Sequence, residues 1–415
     1  VSKNKKYIFI AIIMALLAGG IFTSYDYILL WYRFKIADYS KIPDKKRGDI
    51  YDSEGNLLAA SVESYSVYID PLLVKDKGEV LDYISNYTGL KKYFKLKYQD
   101  SSNKRFMYVF RERSKEEAFD FIKHFPEKRA VGVVKEWKRK SLITEYEPVV
   151  GMCDVDEKGI TGIEYTYDDR LKKGEDIYIT LNRKSQLEIY ETLKTIHSDL
   201  DIAYGLGIEI ENGFGRINAL VFYPTYKEIA GRRIILSGNP AVTFNFPFGD
   251  SYKKLVNIMM AYKHNIIPKK MIMSLLKDDN SKSYEVLIPK EIQEEFHRLV
   301  SDGKTGIDYH GESRNLLGSQ MLLTPVKGVS ILSSIIRGKK VIPHILKEGA
   351  KDTSDTSISE KTKTFPAISY FWNTEDNSYF FRTKHSGNIS ILYIFRGVRK
   401  KDIDTLKRYF VGSEI

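Results

Sequence analysis

In the stretch NFPFGDSYKKL, Asn245 to Leu255, a serine stands three residues before a lysine: Ser251 and Lys254. Residues three apart share a helix face. A neutral lysine there can take the serine proton and make the hydroxyl a nucleophile. The same stretch offers Asp250 and Lys253 at the same spacing, which would set a carboxylate rather than a hydroxyl beside the lysine. The non-catalytic reading is a polar helix start, with Asp250 or Ser251 as its N-cap. Ser274 and Lys277 repeat the spacing, but a short pattern of this kind is expected by chance in a lysine-rich chain.

A reactive helix start needs a sheet to hold it, and the sequence supplies one. Tyr204 to Ile210 and Gly215 to Tyr223 alternate like strands around Glu211-Asn212-Gly213, a good hairpin turn, and Pro224 closes the second. Further strands are expected at Ile368–Trp372, Ser378–Thr383 and Ile389–Phe395, with helices over Ser185–Ser198 and Lys400–Tyr409. Residues 347–364, rich in Ser, Thr, Lys and Asp without apolar periodicity, read as a flexible loop. Upstream, Asp52 to Gly55 is a turn flanked by Ile50-Tyr51 and Leu57-Leu58, as in a hairpin. Ser64 to Asp70 and Val131 to Glu136 read as strands. Ser114 with Glu117 fits a capping box that starts a helix running to His124.

The chain has 415 residues, enough for two or three domains with a real core. Its formal net charge is +11, from 65 Lys plus Arg against 54 Asp plus Glu. The lysines are spread along the chain with no nucleic-acid motif, so nucleic acid is not an expected partner. Cys153 is the single cysteine, and the His residues have no metal-ligand spacing, so neither an intrachain disulfide nor a metal or other cofactor is expected. Tyr7 to Tyr25 is free of charge and follows Lys3, Lys5 and Lys6. Such a run spans a bilayer as one helix with its basic flank on the cytoplasmic side. Residues 1–6 are then a cytoplasmic tail, 7–25 an anchor, and the bulk lies outside the cytoplasm.

Two longer segments carry a family resemblance. RGDIYDSEGNLLA, Arg47 to Ala59, just beyond the apolar run, resembles the segment that opens the periplasmic part of class B penicillin-binding proteins, the peptidoglycan transpeptidases of bacterial walls. GITGIEYTYDDRLKKGEDIYITLNRKSQ, Gly159 to Gln186, is similar to the family's Gly-x-x-Gly-Ile-Glu, aromatic-Asp and Leu-x-x-Gly series; Asn182 stands where the family usually has Asp. A third match runs from Gly306-Ile307-Asp308 through Gly311-Glu312 to Thr324-Pro325. It makes Lys304-Thr305-Gly306 part of an internal segment rather than the family's catalytic strand motif.

The resemblance implies an α+β architecture: a single transmembrane helix, an extended pedestal of the dimerisation type over 26–180, and a reduced transpeptidase-like domain over 181–415 with a central antiparallel sheet flanked by helices. It implies localisation in the bacterial inner membrane. The implied partners are a multi-spanning glycan polymerase and division or elongation proteins, with the peptidoglycan stem peptide and β-lactams as ligands of the site. Active members use Ser-x-x-Lys, a Ser-x-Asn element and a Lys-Thr/Ser-Gly strand motif, with acyl transfer from a D-alanyl-D-alanine stem peptide to an amine. Here the candidates are Ser251 and Lys254, with His385-Ser386-Gly387 as the strand motif. In the ungapped alignment Asp250 and Lys253 take the catalytic positions instead, and Asn280-Ser281-Lys282-Ser283 is the nearest approach to Ser-x-Asn. These departures favour a catalytically impaired scaffold, a pseudoenzyme. The alternatives are an active D,D-transpeptidase and a stem-peptide or β-lactam sensor.

Overall fold

The computed structural model describes residues 46–229, 232–235, 239–277, 289–291, 294, 322–347, 365–384 and 387–411. The expected tail and anchor, Asn280 to Ser283, Lys304 to Gln320, the loop from 348 to 364, His385 and Ser386 lie outside the described residues. Two compact units emerge. Ser61–Arg139 with Lys46 forms the first, and Arg47–Ala60 with the chain from Lys140 onward forms the second. Residue 180, the expected domain boundary, falls inside the second unit.

In chain order the elements begin with strands β1 (Ile50–Tyr51) and β2 (Leu57–Ile69), then helices α1 (Lys77–Thr88) and α2 (Lys91–Ser101). Strand β3 (Met107–Arg113), helix α3 (Lys115–His124) and strand β4 (Val131–Ser141) follow. In the first unit β2 pairs antiparallel with β3, with Ile69 opposite Met107, and β4 also pairs with β2. The helices close over this sheet through Val80, Ile84, Phe94, Tyr98 and Phe121, all buried against Val67, Ile69 and Val109. The expected capping box forms: the Glu117 N–H donates to Ser114 Oγ and the Ser114 N–H to Glu117 Oε2, both at 3.1 Å.

The second unit continues with short helices α4 (Gly162–Thr166) and α5 (Asp168–Lys172), strand β5 (Ile177–Tyr178) and helix α6 (Arg183–Leu200). Asn182 caps α6, its side chain accepting from the Ser185 N–H at 3.1 Å. Strands β6 (Tyr204–Glu211) and β7 (Ile217–Tyr223), the hairpin β8 (Tyr226–Ile229) and β9 (Arg232–Ile235), and strand β10 (Phe246–Pro247) come next. Helices α7 (Gly249–Lys263) and α8 (Lys269–Lys277), strand β11 (Leu322–Leu323) and helix α9 (Pro325–Arg337) follow. Strands β12 (Ser369–Asn373), β13 (Asn377–Lys384) and β14 (Ile389–Arg396), then helix α10 (Ile403–Val411), end the described chain.

The central sheet is antiparallel with order β12-β13-β14-β6-β7. Its strands alternate between two apolar faces, the pattern of a sheet buried on both sides. Ile391, Tyr393 and Phe395 pack with Ile189, Leu193 and Ile196 of α6 and with Leu406 and Phe410 of α10. Leu392, Ile394, Leu206 and Ile208 pack on the other face with α7 and α9. The sheet flanked by helices, expected from the sequence, is therefore present. Helix α10 is shorter than anticipated, because Lys400–Asp402 forms a separate 3₁₀ turn before it.

Candidate functional site

The candidate nucleophile segment begins α7, and buried aromatic side chains fix how it begins. The Trp372 indole N–H donates to the Phe248 carbonyl at 3.0 Å, and the Tyr379 hydroxyl donates to the Pro247 carbonyl at 2.6 Å. Tyr252, one turn into the helix, donates from its hydroxyl to the Gly328 carbonyl of α9 at 2.7 Å. The Phe248 and Tyr252 rings meet at 4.8 Å, and the Trp372 and Tyr379 rings stack at 5.0 Å. A methyl group at Gly328 would lie 2.5 Å from the Phe248 ring, so only glycine permits this approach of α9. Burial pushes the Tyr252 phenol well above its ordinary value, so it stays a neutral donor.

This anchoring sets a helix register that differs from the expected N-cap. Phe248, not Asp250 or Ser251, occupies the cap position, without a side-chain cap bond, and Gly249 opens the helix at φ +69°. Trp372 and Tyr379 hold the carbonyls before the helix, which places Asp250 and Ser251 inside its first turn. There a carboxylate is favoured by the helix N-terminus without capping it. Asp250 is exposed, and Lys253 donates to its Oδ1 at 3.2 Å. Ser251 is half-buried. Lys254 is buried, and its ammonium donates to the Leu276 carbonyl of α8 at 3.3 Å. Among the described residues no hydrogen bond joins Ser251 to Lys254.

Gly387 lies elsewhere. A methyl group on it would sit 3.0 Å from Phe365 Cβ, whereas one on Gly249 would sit 3.3 Å from Thr374 Cγ2. Thr374 and Gly387 occupy the turns at opposite ends of β13, whose 8 residues span about 27 Å. The last turn of α7 confirms the geometry, since Tyr262 meets Phe365 at 5.1 Å and the helix of 15 residues is about 22 Å long. The structure thus brings Asp250 and Lys253 together and separates Gly387 from Ser251. Ser274 bonds back to the Met271 carbonyl at 2.9 Å within α8, an ordinary helical hydroxyl contact.

The two segments that carry the family resemblance meet around one buried arginine. Arg47 Nε donates to Glu164 Oε2 at 2.8 Å, Nη2 to the Glu164 carbonyl at 2.8 Å, and Nη1 to Asp168 Oδ1 at 2.7 Å and to the Glu157 carbonyl at 2.9 Å. The Gly159 N–H reaches the same Asp168 oxygen at 2.9 Å, and Lys172 pairs with Oδ2 at 2.6 Å. Gly48 follows because nothing larger fits: a Cβ there would lie 2.0 Å from the Glu175 carbonyl oxygen. Strand β1 then pairs parallel with β5, stacking Tyr51 on Tyr178 at 4.9 Å. Asp52 accepts from the backbone N–H of Glu54 and Asn56, making the expected turn. Both motifs were visible in the sequence, but the charge pairing across more than a hundred residues carries no local signal.

Burial pushes the Asp168 carboxyl up. Lys172, the Gly159 N–H and Arg47 outweigh it and hold the carboxyl below its ordinary value of 3.8. Its ionised form is therefore favoured more in the folded state than in the unfolded one. The resulting stabilisation is full above the unfolded value and is lost as pH falls through the lower folded value. Stability measured by urea denaturation is expected to fall as pH drops below about 4, and Asp168→Asn should flatten this acid limb. An unchanged limb in the variant would count against the role of Asp168.

In its fold and in these two sets of contacts the chain is similar to class B penicillin-binding proteins. Residues 44–199 match the family model of the penicillin-binding protein dimerisation domain. The peptidoglycan D,D-transpeptidase FtsI of Buchnera aphidicola subsp. Schizaphis graminum is 24% identical over 361 residues, a match covering 77% of this chain and 58% of that protein. The chain thus matches less than two thirds of that relative's length. A peptidoglycan synthetase from Bifidobacterium adolescentis superposes with a TM-score of 0.54 at 14% identity, covering 85% of this chain and 90% of that one, a likeness of fold.

Proposed function

We propose that this protein is a membrane-anchored component of bacterial peptidoglycan synthesis or cell division, in which a catalytically impaired transpeptidase-like unit serves as a scaffold partner of a multi-spanning glycan polymerase. The observation that carries this reading is the register of α7. Asp250, exposed in the first turn, pairs with Lys253, while the Lys254 ammonium is turned to the Leu276 carbonyl. A carboxylate there cannot form the usual stable acyl-ester, and among the described residues no hydrogen bond links Lys254 to Ser251. The position of Gly387 at the far end of β13 supports the same reading. Anchoring rests on the charge-free run Tyr7 to Tyr25. No helix among the described residues is long and apolar enough to cross a membrane.

A competing reading is an active D,D-transpeptidase working through Ser251 and Lys254. It draws on the half-buried Ser251 in the first turn of α7, where the helix N-terminus favours developing negative charge. The two readings separate on D-alanine release from a pentapeptide stem by the full chain. The scaffold reading expects none above buffer. Release that disappears in Ser251→Ala would establish the enzyme instead.

A further inference from the structure

Strand β4 ends its sheet on one side: among the described residues it pairs with β2 alone. It is 11 residues long, about twice the usual strand, and holds no proline to blunt it. Two main-chain bonds fix which way its groups point. The Asp70 N–H donates to the Ala130 carbonyl at 2.7 Å, and the Leu142 N–H to the Leu58 carbonyl at 2.8 Å. Both fit one antiparallel register, and Ser64 Oγ donating to the Glu136 carbonyl at 3.2 Å agrees with it. In such a ladder successive residues bond alternately inward and outward. The even-numbered residues of β4 therefore bond to β2. Val131, Val133, Lys135, Trp137, Arg139 and Ser141 turn their N–H and C=O groups to the open edge. For Val131, Val133, Lys135 and Trp137 no main-chain partner occurs there among the described residues. Charge along the strand is uneven. Val131 to Val134 carry none, and Lys138, Arg139 and Lys140 follow in the second half. Lys135 and Lys138 are already paired within the sheet, with Glu63 at 2.6 Å and Glu112 at 3.5 Å.

We propose that a second copy of this chain adds to the β4 edge, antiparallel and about a two-fold axis at Glu136. This register overlaps all 11 residues, so every outward N–H and C=O meets a partner. It sets the uncharged half of one strand against the cationic half of the other, so Lys138, Arg139 and Lys140 do not face their own kind. Lys135 meets the partner's Trp137, as it already lies 5.9 Å from its own Trp137 ring. Glu136, on the axis, is held inward by Ser66, Tyr108 and Arg111. A strand of another protein would satisfy the same main-chain groups but would gain nothing from this self-complementary order of charge.

The test mixes single-cysteine variants of the full chain, each in a Cys153→Ser background, under mild oxidation. Positions 135 and 137 face each other across a bonded pair, with Cα atoms about 5.5 Å apart, inside the disulfide range. Lys135→Cys with Trp137→Cys, and independently Val131→Cys with Ser141→Cys, are expected to cross-link at least about tenfold faster than Val131→Cys with itself, whose copies lie about 33 Å apart. Lys135→Pro removes a donor that β2 does not use, so the chain keeps its cooperative urea transition and loses the dimer in sedimentation. Should Lys135→Pro not fold, the cross-linking ratio decides alone. Equal rates for facing and self-mixed positions overturn the proposal, as does a dimer that persists in folded Lys135→Pro. A monomer at every concentration also overturns it and leaves the edge to a strand of another protein.

Discussion

Arg47→Ala is expected to destabilise the second unit by about 3–5 kcal/mol, the cost of leaving a buried carboxylate without its cation. The Arg47 and Glu164 side chains are 2% and 1% exposed, so water does not replace the lost contacts. The backbone carbonyls of Glu157 and Glu164 lose their donors as well. Replacing both Arg47 and Glu164 by Met should recover only the part of the loss due to the stranded Glu164 charge, since Asp168 and the two carbonyls still lack their arginine donor. The measurement is the urea midpoint at constant slope. A loss under about 1 kcal/mol for Arg47→Ala, the range of exposed pairs, would mean that the arginine does not hold the two motifs together. Lys194→Ala, which breaks the exposed pair with Glu191, is the natural comparison.

Trp372→Ala should cost a similar amount, about 3–5 kcal/mol, from the loss of a buried aromatic. Trp372 is buried between the Tyr370 and Tyr379 rings, at 5.5 and 5.0 Å. Its N–H also holds the carbonyl that precedes α7. Trp372→Phe separates the two contributions: it keeps most of the ring and leaves the Phe248 carbonyl unsatisfied, at a cost of about 1–3 kcal/mol. The expected structural consequence is a frayed first turn of α7, read as faster amide exchange at Tyr252 and Lys253. If Trp372→Phe leaves both stability and exchange unchanged, the indole hydrogen bond does not set the register of the helix.

Much of the fold could be read from local pattern. The hairpin around Glu211-Asn212-Gly213, the three strands after Ile368 and the box at Ser114 and Glu117 all formed, because period-two alternation and capping are short-range effects. The register of α7 could not be read in this way. A serine and an aspartate before a helical run look like caps, and only the contacts of Trp372 and Tyr379 with the preceding carbonyls decide otherwise. Those side chains are more than a hundred residues away, as Glu164 is from Arg47. Ser251 and Lys254 satisfied a spacing rule, but the lysine's ammonium bonds the Leu276 carbonyl of α8, a contact with no local sequence signal. The unit boundary was hidden for a related reason: Arg47–Ala60 joins later residues through β1 pairing with β5 and through Arg47.

The central proposal is that this chain, similar to class B penicillin-binding proteins, lacks a working acyl-transfer serine. Covalent labelling of the full chain by a fluorescent penicillin, with Ser251→Ala alongside, tests it most directly. The account predicts no covalent label on protein shown to be folded by a cooperative denaturation transition. A stoichiometric label that disappears in Ser251→Ala would contradict it. D-alanine release from a pentapeptide stem, lost in the same variant, would then identify an active transpeptidase-type site, and a long-lived label without D-alanine release would identify a sensor.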